Sequence, residues 1–368
     1  MTTSLIGTHS GKFHCDEAFA CFMLKQLPQY KDHSIVRTRD AAQLEKCDIV
    51  VDVGGIFDHG AKRYDHHQRG FTDTMRTLEK LNFDTKLSSA GLVYAHYGKE
   101  VINQLNFDTK LSSAGLVYAH YGKEVINQIL GGNVSPALLD LFYHRLYEQF
   151  VESIDAIDNG ISQYDGTPRY HSPGNLSSRT GQFNAHWNEP ENDADERFQK
   201  AMAFIGGEFV GYVKYLANVW WPAREIIETA VEKRFDNDAS GRIILIENGG
   251  CPWKEHLFDI EAEKNIRDDN ITYILFQDST NNSWRVQAIP TDKTAAFENR
   301  LPLPAAWRGL RDADLSKESG IDGGVFVHIS GFIGGNLTRD GALEMARKAL
   351  KIGEQEAGNE AKKIKLDS

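Results

Sequence analysis

The stretch Tyr64-Asp65-His66-His67-Gln68 follows an apolar run, Ile49-Val50-Val51-Asp52-Val53, and the two together set the fold. A short continuous apolar run closed by Gly54-Gly55 reads as a strand buried on both faces. This one ends on a carboxylate. Upstream, His9-Ser10-Gly11-Lys12-Phe13-His14-Cys15-Asp16-Glu17 follows a shorter strand candidate, Ser4-Leu5-Ile6-Gly7-Thr8. Downstream, Asp155-Ala156-Ile157-Asp158-Asn159-Gly160 closes a long apolar-periodic segment. In open α/β sheets, ligands gather at the carboxyl ends of the strands. Four such ends carry His and Asp, a donor set suited to a pair of divalent ions.

Around these clusters, strands alternate with helices, the pattern of a mainly parallel, doubly wound sheet. A helix is expected from Asp16 to about Leu27, with Phe19, Phe22, Met23 and Leu27 at helical spacing and Pro28 as its stop. Asp16 and Glu17 fall in its first turn, where the helix dipole alone favours acids. Ser34 to Arg39 and Asp48 to Val53 are the next strands. Leu138 to Ile157 reads as one long helix that delivers Asp155 and Asp158 at its C-terminal end, where the dipole disfavours them. Residues 163–197 are rich in Gly, Pro, Ser, Asn and Asp and mark a domain boundary or long functional loop. Arg197 to Val231 is expected to be helical, broken at Gly206-Gly207 and Pro222. Beyond it lies a second, smaller α/β unit with strands at Arg242–Ile246, Ile271–Phe276, Trp284–Ile289 and Val325–Ile329, closed by a helix from Thr338 to Ile352. The division expected is a catalytic domain over 1–180, a substrate-binding domain over 190–355 and a disordered charged tail over 356–368.

Residues 81–104 recur letter for letter as 105–128. Functional repeats come in threes or more with atypical ends, so two identical copies read as a recent duplication or an assembly artefact. Each copy holds a helix, capped at Ser88 or Ser112. Ala90, Val93, Tyr94 and Tyr97, or their repeats, form its apolar side. One copy is expected to pack on the sheet and the other to bulge out as a surplus helix, or both to form a hairpin, with a loss of stability.

With 368 residues, the chain has room for two domains of about 150 residues each. Its net charge of −11 argues against a broadly basic nucleic-acid-binding surface, but bound cations can reverse the field locally. No apolar run approaches the ~20 residues of a membrane span. No presequence is expected ahead of the first cluster. The four cysteines have neither metal-type nor paired spacing and read as reduced thiols of an intracellular protein.

The order His9-x4-His14-x-Asp16, strand Asp52, Asp65-His66-His67, distal Asp158 resembles the DHH phosphoesterase superfamily. Longer stretches narrow it: Gly7 to Glu17, Arg63 to Phe71, Thr85 to Gly91, Asp155 to Gly160, and Phe326-Val327-His328-Ile329-Ser330-Gly331-Phe332-Ile333-Gly334-Gly335-Asn336. They are similar to the Myg-type exonucleases, the melanocyte proliferating gene protein family. The resemblance implies a DHH-type fold and two divalent ions. In it, His9, His14 and Asp16 hold one or both ions, Asp52 bridges them and His66 completes the second site. Asp158 is the distal ligand, with Asp155 as runner-up. Asp65 orients a histidine, and His67 touches the scissile phosphate. A histidine at position 14, where many superfamily members carry Asp, favours Mn²⁺ over Mg²⁺.

In the second domain, Gly334-Gly335-Asn336 before a helix is expected to cradle phosphate with backbone N–H groups. His328, Ser330, Arg339, Lys254 and His256 stand beside it as substrate contacts. Arg37, Arg39, Arg69 and Arg179 are further phosphate candidates, and Trp187, Trp253 and Trp307 are candidate stacking surfaces. The leading expectation is a 3′–5′ exonuclease on single-stranded RNA, in nucleus or mitochondrion as the resemblance implies. Two others stand beside it: a hydrolase of small phosphoanhydrides or short oligonucleotides, and a metal-binding scaffold without turnover. The sequence leaves the oligomeric state open.

Overall fold

In a computed structural model, residues 4–78, 109–168, 170, 172–189, 193–247, 249–293, 295 and 298–366 are described. They form two compact units, divided between Ala217 and Asn218. The division falls later than the loop-rich 163–197 segment, because the helix that follows that segment packs on the first unit.

The first unit is built on a five-stranded sheet ordered β2-β1-β3-β5-β4. The strands are β1 (Leu5–Thr8), β2 (Ser34–Arg37), β3 (Ile49–Val51), β4 (Phe57–Asp58) and β5 (Arg63–Tyr64). β2, β1, β3 and β5 pair in parallel, and β4 joins the edge antiparallel. β3 is buried throughout, as its unbroken apolar run requires. Helix α1 (Cys15–Gln26) follows β1 and stops before Pro28. It buries Ala18, Phe19, Ala20, Cys21, Met23 and Leu24 between the sheet and its helical neighbours.

Helix α2 (Ser113–Ile129) is the second copy of the repeat. The Ser112 hydroxyl caps it by accepting from Gly115 N–H. Ala114, Val117 and Tyr118 are fully buried. The first copy, 81–104, lies outside the described residues. The chain leaves α2 through Gly131 and Gly132, both at positive φ, whose N–H groups return to the Gln128 and Asn127 carbonyls. The long helix expected at 138–157 is present as α3 (Pro136–Leu146) and α4 (Glu152–Asp158), joined by a π-helical turn at Tyr147–Val151. A short helix, α5 (Leu176–Gly181), and a long one, α6 (Ala194–Tyr215), complete the unit. α6 runs unbroken through Gly206-Gly207, contrary to the expected interruption. Gly206 is there for packing: a Cβ would lie 2.1 Å from the Phe22 ring.

The second unit carries helix α7 (Ala223–Glu232), strand β6 (Ile243–Ile246), helix α8 (Lys254–Glu263), strands β7 (Tyr273–Gln277) and β8 (Trp284–Ala288), helix α9 (Asp312–Ser319), strands β9 (Gly324–Val327) and β10 (Ile333–Asn336), and helix α10 (Arg339–Leu366). Its sheet is ordered β6-β7-β8-β10-β9, with β6 and β7 parallel and the rest antiparallel. Alternation along the strands feeds two cores. Ile243, Leu245, Tyr273 and Leu275 face Ala342, Met345 and Ala346 of α10. Ile244, Ile246 and Ile274 face Ile227, Val231, Leu257 and Ile260 of α7 and α8. α10 continues to Leu366, where the sequence reading places a disordered tail. Among the described residues, no helix is long and apolar enough to cross a membrane.

Candidate metal centre

Four carboxyl-terminal ends in the first unit deliver the site. β1 leads into the loop from His9 to His14. The Phe13 backbone is pinned to Asn184, whose amide accepts from Phe13 N–H at 3.0 Å and donates to Phe13 O at 2.8 Å. Arg39 Nε donates to the Ser10 carbonyl at 3.2 Å. His9 Nδ1 lies 3.1 Å from that same carbonyl, which leaves Nε2 turned to the centre. β3 ends at Asp52, in the left-handed region at φ 55, a conformation rare for a residue with a Cβ. β5 ends at Asp65-His66-His67, and α4 ends at Asp158.

His9 Nε2 lies 2.8 Å from Glu17 Oε1 and 3.3 Å from Asp52 Oδ2. His66 Nε2 lies 2.9 Å from Asp158 Oδ2 and 3.6 Å from Asp52 Oδ1. His67 Nδ1 is 3.5 Å from Asp52 Oδ1. The potential ligand atoms fall into three groups: His9, His14, Glu17 and Asp52; Asp52, His66 and His67; and His14, Asp16 and Asp158. Within each, all lie inside 4.8 Å of one another. Asp52 and His14 each belong to two groups, so the three adjoin.

The charge balance tests what these donors fit. Asp16 is buried, and neither of its carboxylate oxygens has a hydrogen-bond partner among the described residues. Burial, with Asp52, Asp158 and Glu17 nearby, pushes its carboxyl well above the usual range. Burial pulls the His9 imidazole down, yet Asp52 and Glu17 beside it push it up to about 10. For His66, burial is likewise outweighed by Asp158 and Asp52, and the ring rises to about 9. Burial would raise Asp52, but His66 and His9 hold it well below the carboxylate range. Four carboxylates and two buried imidazoles thus crowd one space, with protons standing in for cations. Mixed imidazole and carboxylate donors with unpaired oxygens fit divalent first-row ions.

Asp65 and His67 form a separate pair. Asp65 Oδ1 lies 2.7 Å from His67 Nδ1 and accepts from His67 N–H at 3.0 Å, while Oδ2 accepts from Gly55 N–H at 2.6 Å. The His67 side chain is 64% exposed, with Nε2 away from the pair.

His9, His14, Asp16, Asp52, His66, His67 and Asp158 therefore converge. Asp155 does not join them; its oxygens are taken by Ser112, Gly115 and Tyr147. Glu17 does join, and the sequence reading passed it over. It sits in a helix first turn, where the dipole is explanation enough, and the one signal was its adjacency to Asp16.

In the second unit, Gly334 and Gly335 lie within β10, their backbone in the ladder with β8 and β9, and make no phosphate cradle. Leu303 and Arg285 would crowd a Cβ there. Asn336 is buried, with its carbonyl accepting from Thr338 N–H and its amide donating to Asp322 O. His256 is fully buried beside Trp220, and Lys254 donates to Ala295 O. His328 and Ser330 pair at 2.9 Å on the turn between β9 and β10, and Arg339 is exposed at the start of α10. Trp253 and Trp307 are core residues, whereas Trp187 is exposed.

The fold and centre define a class: an α/β protein with a buried His–carboxylate cluster at the carboxyl ends of a mainly parallel sheet. Comparison with known proteins narrows it. The MYG1 exonuclease family model, described as an uncharacterised protein family (UPF0160), matches residues 5–108 and 104–350. The chain belongs to this family. It is 80% identical over 364 residues to the MYG1 protein of Caenorhabditis elegans, covering 99% of each chain. It is 46% identical over 352 residues to the MYG1 exonuclease of Mus musculus, covering 95% of this chain and 86% of that one. To the MYG1 protein of Saccharomyces cerevisiae it is 41% identical over 358 residues, covering 94% and 95%. No solved structure matches. The two family matches meet at 104–108, across the join between the repeat copies.

Proposed function

We propose that this chain is a metal-dependent phosphodiester hydrolase, a 3′–5′ exonuclease acting on single-stranded RNA through two divalent ions, Mn²⁺ or Mg²⁺. The observation that carries the reading is Asp16, a buried carboxylate with both oxygens unpartnered among three groups of potential ligands that share Asp52 and His14. The exonuclease name of the mouse relative supports the reaction class. The parallel order β2-β1-β3-β5 supports a DHH-type arrangement.

His9, His14, Asp16, Glu17, Asp52, His66 and Asp158 would hold the ions. A bound pair of divalent ions supplies a water deprotonated near neutral pH and neutralises charge growing on phosphoryl oxygens. The rest is the protein's own work. Asp65 accepts from His67 Nδ1–H, which fixes the ring and turns Nε2 outward; as an imidazolium the ring would donate Nε2–H to a non-bridging phosphoryl oxygen. Gly55 N–H holds Asp65 in turn, so the histidine is positioned before substrate arrives. His328, Ser330 and Arg339 of the second unit are proposed contacts to the substrate backbone.

The net charge of −11 favours short substrates as the second reading, because a long strand is not drawn in by an acidic surface. A time course on 5′-labelled single-stranded RNA with Mn²⁺, beside a dinucleotide and pyrophosphate, separates the two. Stepwise loss from the 3′ end, abolished by EDTA, supports the exonuclease. Turnover of only the small substrates supports the second reading.

A further inference from the structure

Asp52 is held by more than its histidines. The Ser113 hydroxyl donates to Asp52 Oδ1 at 3.2 Å, the same oxygen that faces His66 and His67. Ser113 opens α2, so its position is set by the first turn of that helix. That turn is gripped from outside by one carboxylate. Asp155 Oδ1 accepts from the Ser112 hydroxyl at 2.6 Å, Ser112 N–H at 3.0 Å and Gly115 N–H at 3.1 Å. Asp155 Oδ2 accepts from the Tyr147 hydroxyl at 3.0 Å. The approach is so close that a Cβ at Gly115 would lie 2.3 Å from Asp155 Oδ2. Glycine at 115 is thus required by the carboxylate and not by its backbone angles.

Capping alone does not call for this. The Ser112 hydroxyl already serves α2 as an N-cap, and burying a whole carboxylate is costly unless its bonds achieve something further. Beyond the turn lies Asp52, at a backbone conformation that needs outside support. A neutral hydroxyl can hold Asp52 whether its histidines carry protons or turn to a metal ion.

We propose that Asp155 is a positioning residue for the metal centre, fixing the first turn of α2 so that Ser113 holds Asp52 facing both His9 and His66. This rests on the metal-dependent reading above. The test is Mn²⁺ binding alone, followed by electron paramagnetic resonance of the free ion, on full-length wild type, Asp155→Asn, Ser113→Ala and the double variant. Thermal melts in EDTA run alongside. Each single variant is expected to weaken Mn²⁺ binding about 10-fold while the number of bound ions stays at the wild-type value. The double variant is expected to be no weaker than the weaker single, because both act along one path. Loss of a bound ion in Asp155→Asn would make it a ligand and overturn the proposal. Unchanged affinity with only a lower melting temperature would make it a plain structural cap and overturn it equally. Should Asp155→Asn not fold, Ser113→Ala decides, since unchanged Mn²⁺ affinity there breaks the path. Wild type that binds no Mn²⁺ overturns the metal reading itself, an outcome distinct from any of these.

Discussion

Asp16 is a buried residue whose unpartnered oxygens suit the cation that the proposed function places beside it. Asp16→Asn removes a carboxyl that burial and its acidic neighbours push well above the usual range, so that it costs stability at neutral pH when no cation is bound. Its melting temperature in EDTA is expected to rise above wild type, while Mn²⁺ affinity falls by more than about 100-fold, beyond the loss expected for an outer partner. Differential scanning fluorimetry with and without Mn²⁺ reads both; a lower melting temperature in EDTA would contradict the account. His67 is expected to behave differently. His67→Ala leaves Mn²⁺ binding near wild type and lowers kcat by about 100-fold or more, as loss of a group that faces the developing charge does. At this scale much of the centre could be read from the chain. The spacing of His9, His14, Asp52 and His66 is unusual enough to carry its own meaning. Glu17 and Asp155 were less legible, for opposite reasons. Glu17 had a sufficient local explanation in the helix dipole, which hid its pairing with His9. Asp155 sits three residues before Asp158, and the resemblance ranked it as runner-up for the same role. Its hydrogen-bond partners, Ser112 and Tyr147 against His66 for Asp158, give it a different one.

Among the elements, α6 shows how tertiary contact overrides local preference. Adjacent glycines within a helical pattern read as a break, since each costs about 1 kcal/mol against alanine. Gly206 is retained because the Phe22 ring of α1 occupies the space of its side chain, while Gly207 faces open space. The two therefore form a matched test. Gly206→Ala is expected to destabilise the chain by about 1–3 kcal/mol through overpacking, and Gly207→Ala to stabilise it by about 0.5–1 kcal/mol. Urea denaturation measures both, and equal effects would contradict the packing argument. The same logic explains β10, where Gly334-Gly335 looked like a phosphate loop but is strand pressed against Leu303 and Arg285. α3 carries a further consequence, in its pH response. Burial, with Lys123 nearby, pulls the His144 imidazole down to about 4. A histidine depressed in the folded state contributes stability above about pH 6.5, and that contribution is lost as pH falls towards 4. His144→Phe is expected to flatten the fall in urea midpoint between pH 7 and pH 4.5 relative to wild type; an unchanged difference would remove His144 from the acid response.

Across the whole molecule, the repeat raises the question of how much chain the fold needs. Deleting either copy leaves the same sequence, because the copies are identical. The described copy supplies Ser112, Ser113 and Gly115 to the centre and Tyr118 to the core. The shortened chain is therefore expected to keep the wild-type near-ultraviolet circular dichroism and bind Mn²⁺ within about threefold of the original, since surplus length in a connection costs little. Loss of Mn²⁺ binding on deletion would show that both copies are required.

The glycine exit from α2 then acquires a meaning of its own. The two copies carry the same side chains, so nothing inside the repeat distinguishes one from the other for the place α2 holds beside the sheet. What differs is the chain immediately downstream of each copy. The second copy runs into Ile129-Leu130-Gly131-Gly132, which turns left-handed and returns two N–H groups to the helix. The first is followed in sequence by Leu105-Asn106-Phe107-Asp108, with Phe107 at the position that Gly131 takes after the second copy, and a left-handed turn favours glycine there. The glycine pair is thus punctuation that stands outside the duplicated text and follows one of its two copies alone.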